Sequence, residues 1–324
     1  MGVLSEPVAW IVSPVYRDTE AYLVLYGRLG EVRRGEGPLS GYDLRFVVLD
    51  DSAGHDPEID TLRDLPDAQV VTPPFNLGHQ RGIVYAIRKI AGSVSDGDVV
   101  VTMDADGEDQ PEDLPRMLSA LSADSRLAAV LARRTRRRVS LRFQVMYLAF
   151  RVLFALLTGL SIKTGNYAVW RGSEARRAIN HPSFDLCYSA TLVSLDLPVA
   201  YVPCERGARY AGRSRMDVSR LALHGLRMLM PFTDRIAIRA LALFSFSFAV
   251  AVALAMLVLA IRLFTSLAIP GWATTTLLLV LLLSFIALGN FVVLLNVYGQ
   301  SRSLSLANLE QFNGRTGTPR SPAD

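Results

Sequence analysis

Apolar residues in this chain run in two rhythms. Up to about residue 131, short continuous runs rich in β-branched residues alternate with stretches whose apolar positions recur at helical spacing. Val8–Tyr16, Leu44–Ser52, Ala68–Thr72, Val99–Met103 and Leu127–Leu131 are of the first kind, as expected of strands covered on both faces. A helix is expected after the first of them, through about Leu29. Gln80–Ala91 puts Ile83, Val84, Ile87 and Ile90 on one helical face, and Pro111–Leu121 opens with proline and two acids at its positive end. Strands and helices alternating at this pitch predict an α/β fold, a mostly parallel sheet with helices on both faces.

Beyond residue 131 the pattern changes. Arg133, Arg134, Arg136, Arg137 and Arg138 form a basic cluster, followed by Leu141–Leu160, almost wholly apolar but interrupted by Arg142, Gln144 and Arg151. The uncharged length there falls short of the roughly 20 residues that cross a bilayer. Two readings stand: a helix lying in a membrane interface with its arginines reaching the headgroups, or a buried core helix. Lys163–Arg171 reads as a strand, Ser183–Leu195 as helical and Val199–Pro203 as a further strand. Arg206–Arg215 is a basic, glycine-bearing loop. Met216–Asp234 reads as a second interface helix, with Arg220 and Arg227 set among leucines and methionines.

Ala240–Ile261 is uncharged over 22 residues, roughly 33 Å as a helix and enough to span a hydrocarbon core. Trp272–Tyr298 is a second uncharged span after a Pro270-Gly271 turn, and Asn290 and Asn296 within it are expected to face a partner helix. Arginines cluster before the first span and after the second, while only Arg262 borders the turn. The positive-inside rule then puts both ends in the cytoplasm.

Composition sharpens this division. Hydrophobic residues make up 51% of the 324 and mean hydropathy is +0.28, with the excess in the last third. It marks a segment, not the whole chain. The net charge of +4 is carried almost entirely by arginine, the only lysines being Lys89 and Lys163. Cys187 and Cys204 are too few for a disulfide framework and cannot make a zinc site alone. The first apolar run contains a proline and lacks a basic flank, so it is not read as a signal peptide, and the first two-thirds are expected in the cytosol.

The chemistry-bearing residues gather at strand ends. Asp104-Ala105-Asp106 follows the run Val99–Met103, Asp50-Asp51 closes another run, and Pro14-Val15-Tyr16 a third. That edge of an α/β sheet is where ligands bind. Two carboxylates one residue apart repel each other unless a cation neutralises them, and such hard oxygen ligands suit Mg²⁺ or Mn²⁺. As a bare motif, a solvated acidic turn accounts for Asp-x-Asp equally well. No Gly-x-Gly-x-x-Gly follows the first strand and no P-loop motif occurs, which argues against dinucleotide and P-loop chemistry. His55, His181 and His224 show no ligand spacing and read as structural; His79 reads as a helix-start residue.

Pro14-Val15-Tyr16, Asp50-Asp51-Ser52, Asn76-Leu77-Gly78, Asp104-Ala105-Asp106 and Asp109-Gln110-Pro111-Glu112, in this order, resemble family-2 glycosyltransferases of the GT-A fold. The basic stretch after the fifth strand, Gly165–Arg171, Arg209-x-x-Gly212-x-Ser214-Arg215 and the apolar hairpin look like the polyprenyl-phosphate branch, which includes dolichol-phosphate mannose synthases and undecaprenyl-phosphate glycosyltransferases. The resemblance implies a GT-A domain over residues 1–215, an interface helix at 216–238, a transmembrane hairpin at 239–299 and a cytoplasmic tail at 300–324.

It also implies an inverting transfer of a sugar from a nucleotide-sugar to a polyprenyl phosphate, at the cytoplasmic face of a bacterial inner membrane. Pro14, Tyr16 and Asp51 would contact the donor, as would Asp104. Asp106 and Glu108 would hold Mg²⁺ or Mn²⁺, with Asp104 a metal or ribose contact. Arg133, Arg136, Arg137, Arg209, Ser214 and Arg215 would meet the acceptor phosphate, so that Asp104, Asp106, Arg209 and Arg215 form the catalytic set. No nucleic-acid partner is implied, and a homo-oligomer is left open. Arg17, Glu108 and Asn166-Tyr167-Ala168 depart from the family pattern, as does the missing glycine before Ser52. A glycosyltransferase acting on another lipid, and a nonenzymatic nucleotide-sugar-binding module on a membrane anchor, are the alternatives.

Overall fold

The computed structural model describes residues 6–134, 141–161, 164–210, 218–265 and 271–302. They fall into two units, 1–153 with 160–231, and 154–159 with the chain from Phe232 on.

The first unit is built on seven strands: β1 (Val8–Val15), β2 (Asp43–Asp50), β3 (Ala68–Val71), β4 (Val99–Thr102), β5 (Ala129–Arg134), β6 (Thr164–Arg171) and β7 (Val199–Cys204). Their order is β3-β2-β1-β4-β6-β5-β7, and all run parallel except β6, which is antiparallel to both β4 and β5. The helices that cover this sheet are α1 (Thr19–Arg34), α2 (His79–Ile90), α3 (Leu114–Ala123), α5 (Gly172–Ala178) and α6 (Tyr188–Ser194); α4 (Leu141–Thr158) and α7 (Val218–Leu229) are discussed below.

Strand alternation sorts the core into two layers. Val99, Val101 and Met103 join Leu25 and Leu29 of α1 and Met117 and Leu118 of α3, whereas Val100 joins Ile83, Val84 and Ile87 of α2 and Tyr188 and Leu192 of α6. Each such side chain, fully buried, contributes about 1.5–3 kcal/mol of hydrophobic stabilisation.

Register brings the chemistry to one rim. Val15 lies opposite Asp50 and Val12 opposite Thr102, so Tyr16, Asp51 and Asp104–Asp106 emerge at the same carboxyl edge. Arg133 reaches that edge from β5, and β7 delivers the loop 205–210 beside it.

Several expected elements differ. The first helix runs on to Arg34 instead of ending near Leu29. The stretch expected as one helix from Ser183 to Leu195 is a 3₁₀ turn at Pro182–Asp185 and then α6, separated by Cys187 in an extended conformation. The short α5 was not expected at all; it starts directly from β6 at Gly172, where a side chain would strike the Ser95 and Asp98 carbonyls. Of the single helix expected over Met216–Asp234, Val218–Leu229 is α7, ended by a 3₁₀ turn at Met230–Phe232 around Pro231, and Thr233 and Asp234 already belong to the next helix. Tyr147, Leu148, Val152 and Leu153 of α4 are exposed, so this part of α4 is not a buried core helix.

In the second unit α8 (Thr233–Phe264) and α9 (Trp272–Arg302) pack on each other, burying the small or branched Ala251, Val258 and Ala287 while most other apolar side chains stay exposed. The stretches Leu223–Phe264 and Trp272–Leu294 are long and apolar enough to cross a membrane. Asn290 bonds the Ile286 carbonyl of its own helix at 3.0 Å instead of facing a partner; the side chain of Asn296 lies outside the described residues.

Candidate active site

The two aspartates that close β2 have separate tasks. Asp50 accepts from the Ser52 amide (3.0 Å) and hydroxyl (2.6 Å), the Gly54 amide (2.8 Å) and the Thr72 hydroxyl (3.3 Å), which folds the turn that follows. In that turn Ala53 stands at φ +57°, a left-handed conformation that costs an L side chain energy and suits glycine. Asp51 is 8% exposed, yet its Oδ1 has no hydrogen-bond partner. Burial pushes this carboxyl up to about 6, against the pull of His79. A buried carboxylate oxygen without a partner is costly unless a ligand supplies one, and Asp51 differs from the equally partnerless Asp56 Oδ2 in standing on the acidic rim.

Glycine lets α2 approach. A Cβ at Gly82 would strike Leu49 and lie 3.7 Å from Asp51 Oδ1, so the start of α2 settles against the end of β2. Asn76 shapes the entry, donating from Nδ2 to the Asp51 carbonyl at 2.5 Å and accepting from the Gly78 amide at 2.8 Å, with Gly78 at φ +74°. His79, the first residue of α2, then faces the acids: its Nε2 is 3.1 Å from Asp104 Oδ1. Desolvation opposes a charge on His79, but Asp104, Asp51 and Asp106 together outweigh it and raise its pKa.

Asp104 is held from both sides. Its amide donates to Asp109 Oδ2 at 3.0 Å, and Asn166 Nδ2 donates to its Oδ1 at 3.1 Å. Gln80 Nε2 donates to Asn166 Oδ1 at 2.5 Å and Gln80 Oε1 accepts from the Ser189 amide at 2.9 Å, tying α2, β6 and α6 behind the acid. Burial, and then the neighbouring Asp104 charge, raise the pKa of Asp106.

The loop after β7 closes onto this pair. Arg209 is 2.7 Å from Asp106 Oδ2, with its Nε 3.2 Å from Glu108 Oε1, and Arg206 pairs with Glu108 Oε2. The Gly207 amide donates to the Glu108 carbonyl and the Tyr210 amide to the Asp106 carbonyl, each at 2.9 Å. Tyr210 covers Gly107 (φ +89°), where a Cβ would come 2.8 Å from the ring, and its hydroxyl accepts from Arg28 at 2.6 Å. Arg28 also bonds Gln110 at 3.1 Å and pairs with Glu112 at 2.6 Å.

Of the residues expected in the site, Asp51, Asp104, Asp106 and Glu108 gather on one rim with Tyr16, which is exposed, and Pro14, which is buried. Arg133 is exposed at the same edge, two strands from Asp106. Arg209 meets the acids instead of open solvent. Arg136, Arg137, Ser214 and Arg215 lie outside the described residues. His79, Gln80, Asn166, Arg28, Arg206 and Tyr210 were not expected to share the site; of these only Arg206 and Tyr210 stood within a stretch marked as basic.

The profile of glycosyl transferase family 2 matches residues 11–190, more than half of the chain. The chain belongs to that family. The match runs from within β1 to the first residues of α6 and so includes both acidic strand ends. Among solved structures the chain is similar to glucosyl-3-phosphoglycerate synthase from Mycobacterium tuberculosis, crystallised with Mn²⁺, UDP-glucose and phosphoglyceric acid (16% identity, 71% of this chain and 80% of that one, TM-score 0.47). It is also similar to a mycobacterial protein (16%, 71% and 75%, TM-score 0.46) and to S. aureus TarS 1–349 (11%, 72% and 65%, TM-score 0.40). No curated protein matches the chain.

Proposed function

We propose that this glycosyltransferase moves a sugar from a nucleotide-sugar to a lipid phosphate of the polyprenyl type, in an inverting reaction at the cytoplasmic surface of a bacterial inner membrane. The observation that carries the donor half is the partnerless, buried Asp51 oxygen on the same rim as Asp104 and Asp106. A ribose hydroxyl or base N–H would satisfy it, with Tyr16 and Pro14 forming the wall beside it.

Among the described residues no three His, Cys, Asp or Glu side chains form a closed metal cage. The fit to a cation rests on Asp104 and Asp106, which are close enough for the charge of one to raise the pKa of the other. Two carboxylates suit a divalent ion that draws its remaining oxygens from a diphosphate and water. Mg²⁺ or Mn²⁺ held there would stabilise charge on the departing nucleoside diphosphate. Glu108 is the further candidate ligand; its oxygens pair with Arg206 and Arg209, so it would have to exchange an arginine for the ion, as Asp106 would.

In the transfer, an oxygen of the acceptor phosphate forms a bond to the anomeric carbon as the bond from that carbon to the diphosphate oxygen breaks, and the nucleoside diphosphate leaves with the electron pair. A phosphate monoester is largely ionised near neutral pH, with a second pKa of about 6, so no general base is required. Arg209, now on Asp106, is within reach of the donor diphosphate once a cation claims the acid. Two features support the lipid acceptor: the pair of long apolar helices, and the exposed apolar side chains of α4 and α7 in the first unit. The clustered arginines before α8 support the cytoplasmic orientation.

The test is transfer of label from a panel of nucleotide-sugars into farnesyl or undecaprenyl phosphate by the full chain in detergent, with Asp106→Ala as control. Labelled lipid product that disappears in the variant is the expected result. Label passing to a diacylglycerol but not to an isoprenyl phosphate would replace this acceptor with another lipid.

A further inference from the structure

Apart from the residues expected to meet the acceptor phosphate, three basic groups, His79, His224 and Arg227, stand together. Helix α7 lies over the start of α2: the Arg227 guanidinium is 3.9 Å from where a Cβ on Gly78 would lie, and the electrostatic neighbours of His224 are His79 and Arg227. His79 is engaged by Asp104, but among the described residues neither His224 nor Arg227 is paired with a carboxylate. Arg227 and His224 sit beside the four amides that open α2, a helix with no side-chain cap. Burial and the charges of His79 and Arg227 hold the pKa of His224 down, so Arg227 is the standing charge and His224 a neutral donor beside it.

The same helix carries apolar surface next to these groups. Leu223, Leu226 and Met230 are exposed at helical spacing. Gly225 lets α7 approach α4 closely, since a Cβ there would come 2.9 Å from the ring of Phe150, and exposed Leu148 and Val152 continue the apolar surface on α4. A cationic pocket bordered by an apolar shelf matches a phosphate monoester on a hydrocarbon chain better than a free anion, because only the former covers both surfaces.

We infer that Arg227 and His224, beside the N-terminus of α2, receive the phosphate head of the lipid acceptor, with its chain along α7 and α4. This rests on the lipid-phosphate reading above. It sets the acceptor on the His79 side of Asp104, opposite the Arg206–Tyr210 loop that covers Asp106 and Glu108. Arg227 gives a planar fork to two phosphate oxygens and His224 a single N–H. His79 lies between this head and the donor acids.

The experiment titrates the full chain in detergent with farnesyl phosphate, and separately with inorganic phosphate, by calorimetry. It compares wild type with Arg227→Gln, Arg227→Lys and His224→Gln, and uses nucleoside diphosphate binding and thermal unfolding to show that each variant is folded. The expected result is that Arg227→Gln weakens farnesyl phosphate binding about tenfold or more, the effect of one charge-assisted contact. Arg227→Lys should recover part of the loss, and nucleoside diphosphate binding should be unchanged. Wild-type affinity for farnesyl phosphate in folded Arg227→Gln and His224→Gln would overturn the assignment and leave the acceptor class intact. No farnesyl phosphate binding by a wild-type chain that binds nucleotide would overturn the acceptor class itself. Inorganic phosphate binding as tightly as farnesyl phosphate would overturn the role of the apolar shelf.

Discussion

Replacing Asp51 by asparagine should make the ligand-free protein more stable while impairing its use of the donor. Burial moves the carboxyl from its ordinary 3.8 to about 6. At 1.36 kcal/mol per pH unit, holding the ionised form in the folded chain costs about 3 kcal/mol at neutral pH. Asparagine removes the charge but leaves an amide group without a partner, which returns about 1 kcal/mol of that. The net gain is about 2 kcal/mol, or roughly 4–8 °C in Tm for a unit of this size. The sign follows from linkage: a raised carboxylate pKa leaves stability untouched below 3.8, erodes it as pH rises toward 6, and leaves a constant deficit above. The variant's advantage should therefore be full at neutral pH, reach zero between 6 and 3.8, and reverse by up to about 1 kcal/mol below 3.8, where only the cost of the amide is left. Thermal unfolding of the full chain in detergent, followed by near-ultraviolet circular dichroism across that range, reads it directly. Nucleotide-sugar binding measured on the same samples should fall. A variant that is less stable than wild type at neutral pH, or equally avid for the donor, would refute the view that Asp51 holds its strained charge for a ligand.

Three further outcomes follow from the same geometry. Asp106→Ala should cut metal-stimulated sugar transfer by about 10²-fold or more, measured as initial rates with and without Mn²⁺, because it removes one of the two carboxylates proposed to hold the ion. Ala53→Gly should raise stability by about 0.5–1 kcal/mol in denaturant titrations, since relief of the left-handed alanine exceeds the added chain entropy of glycine. Gly207→Val should loosen the loop, because its side chain would enter Gln110 and the Gly107 carbonyl. The expected readout is faster proteolytic cleavage near Arg206 and Arg209 with the core of the first unit intact.

Most of the sheet was legible because its strands are short, largely apolar runs, Val99–Thr102 above all, and β1, β2 and β4 lead into a turn residue or an acid. The reversed direction of β6 was not, since it depends on pairing with β4 and β5 rather than on any local pattern. α5 escaped for a related reason: seven residues with two arginines give no apolar period, and the segment is helical because Ala175 and Ala178 pack into the core. Within the site, Asp51 and Asp104–Asp106 were visible as acids at strand ends. His79 was read as a helix start, which it is, but its approach to Asp104 spans a long sequence separation that spacing cannot reveal. Arg209 was expected on a phosphate; it pairs with Asp106 and Glu108, acids about a hundred residues away that the fold brings beside it.

The most direct measurement is a structure of the full chain with a nucleoside diphosphate and Mn²⁺ bound. It should place the ribose or base on Asp51 Oδ1 and the diphosphate beside Asp104 and Asp106, with Arg209 released from Asp106. A nucleotide bound away from Asp51, with Arg209 still on Asp106, would contradict it.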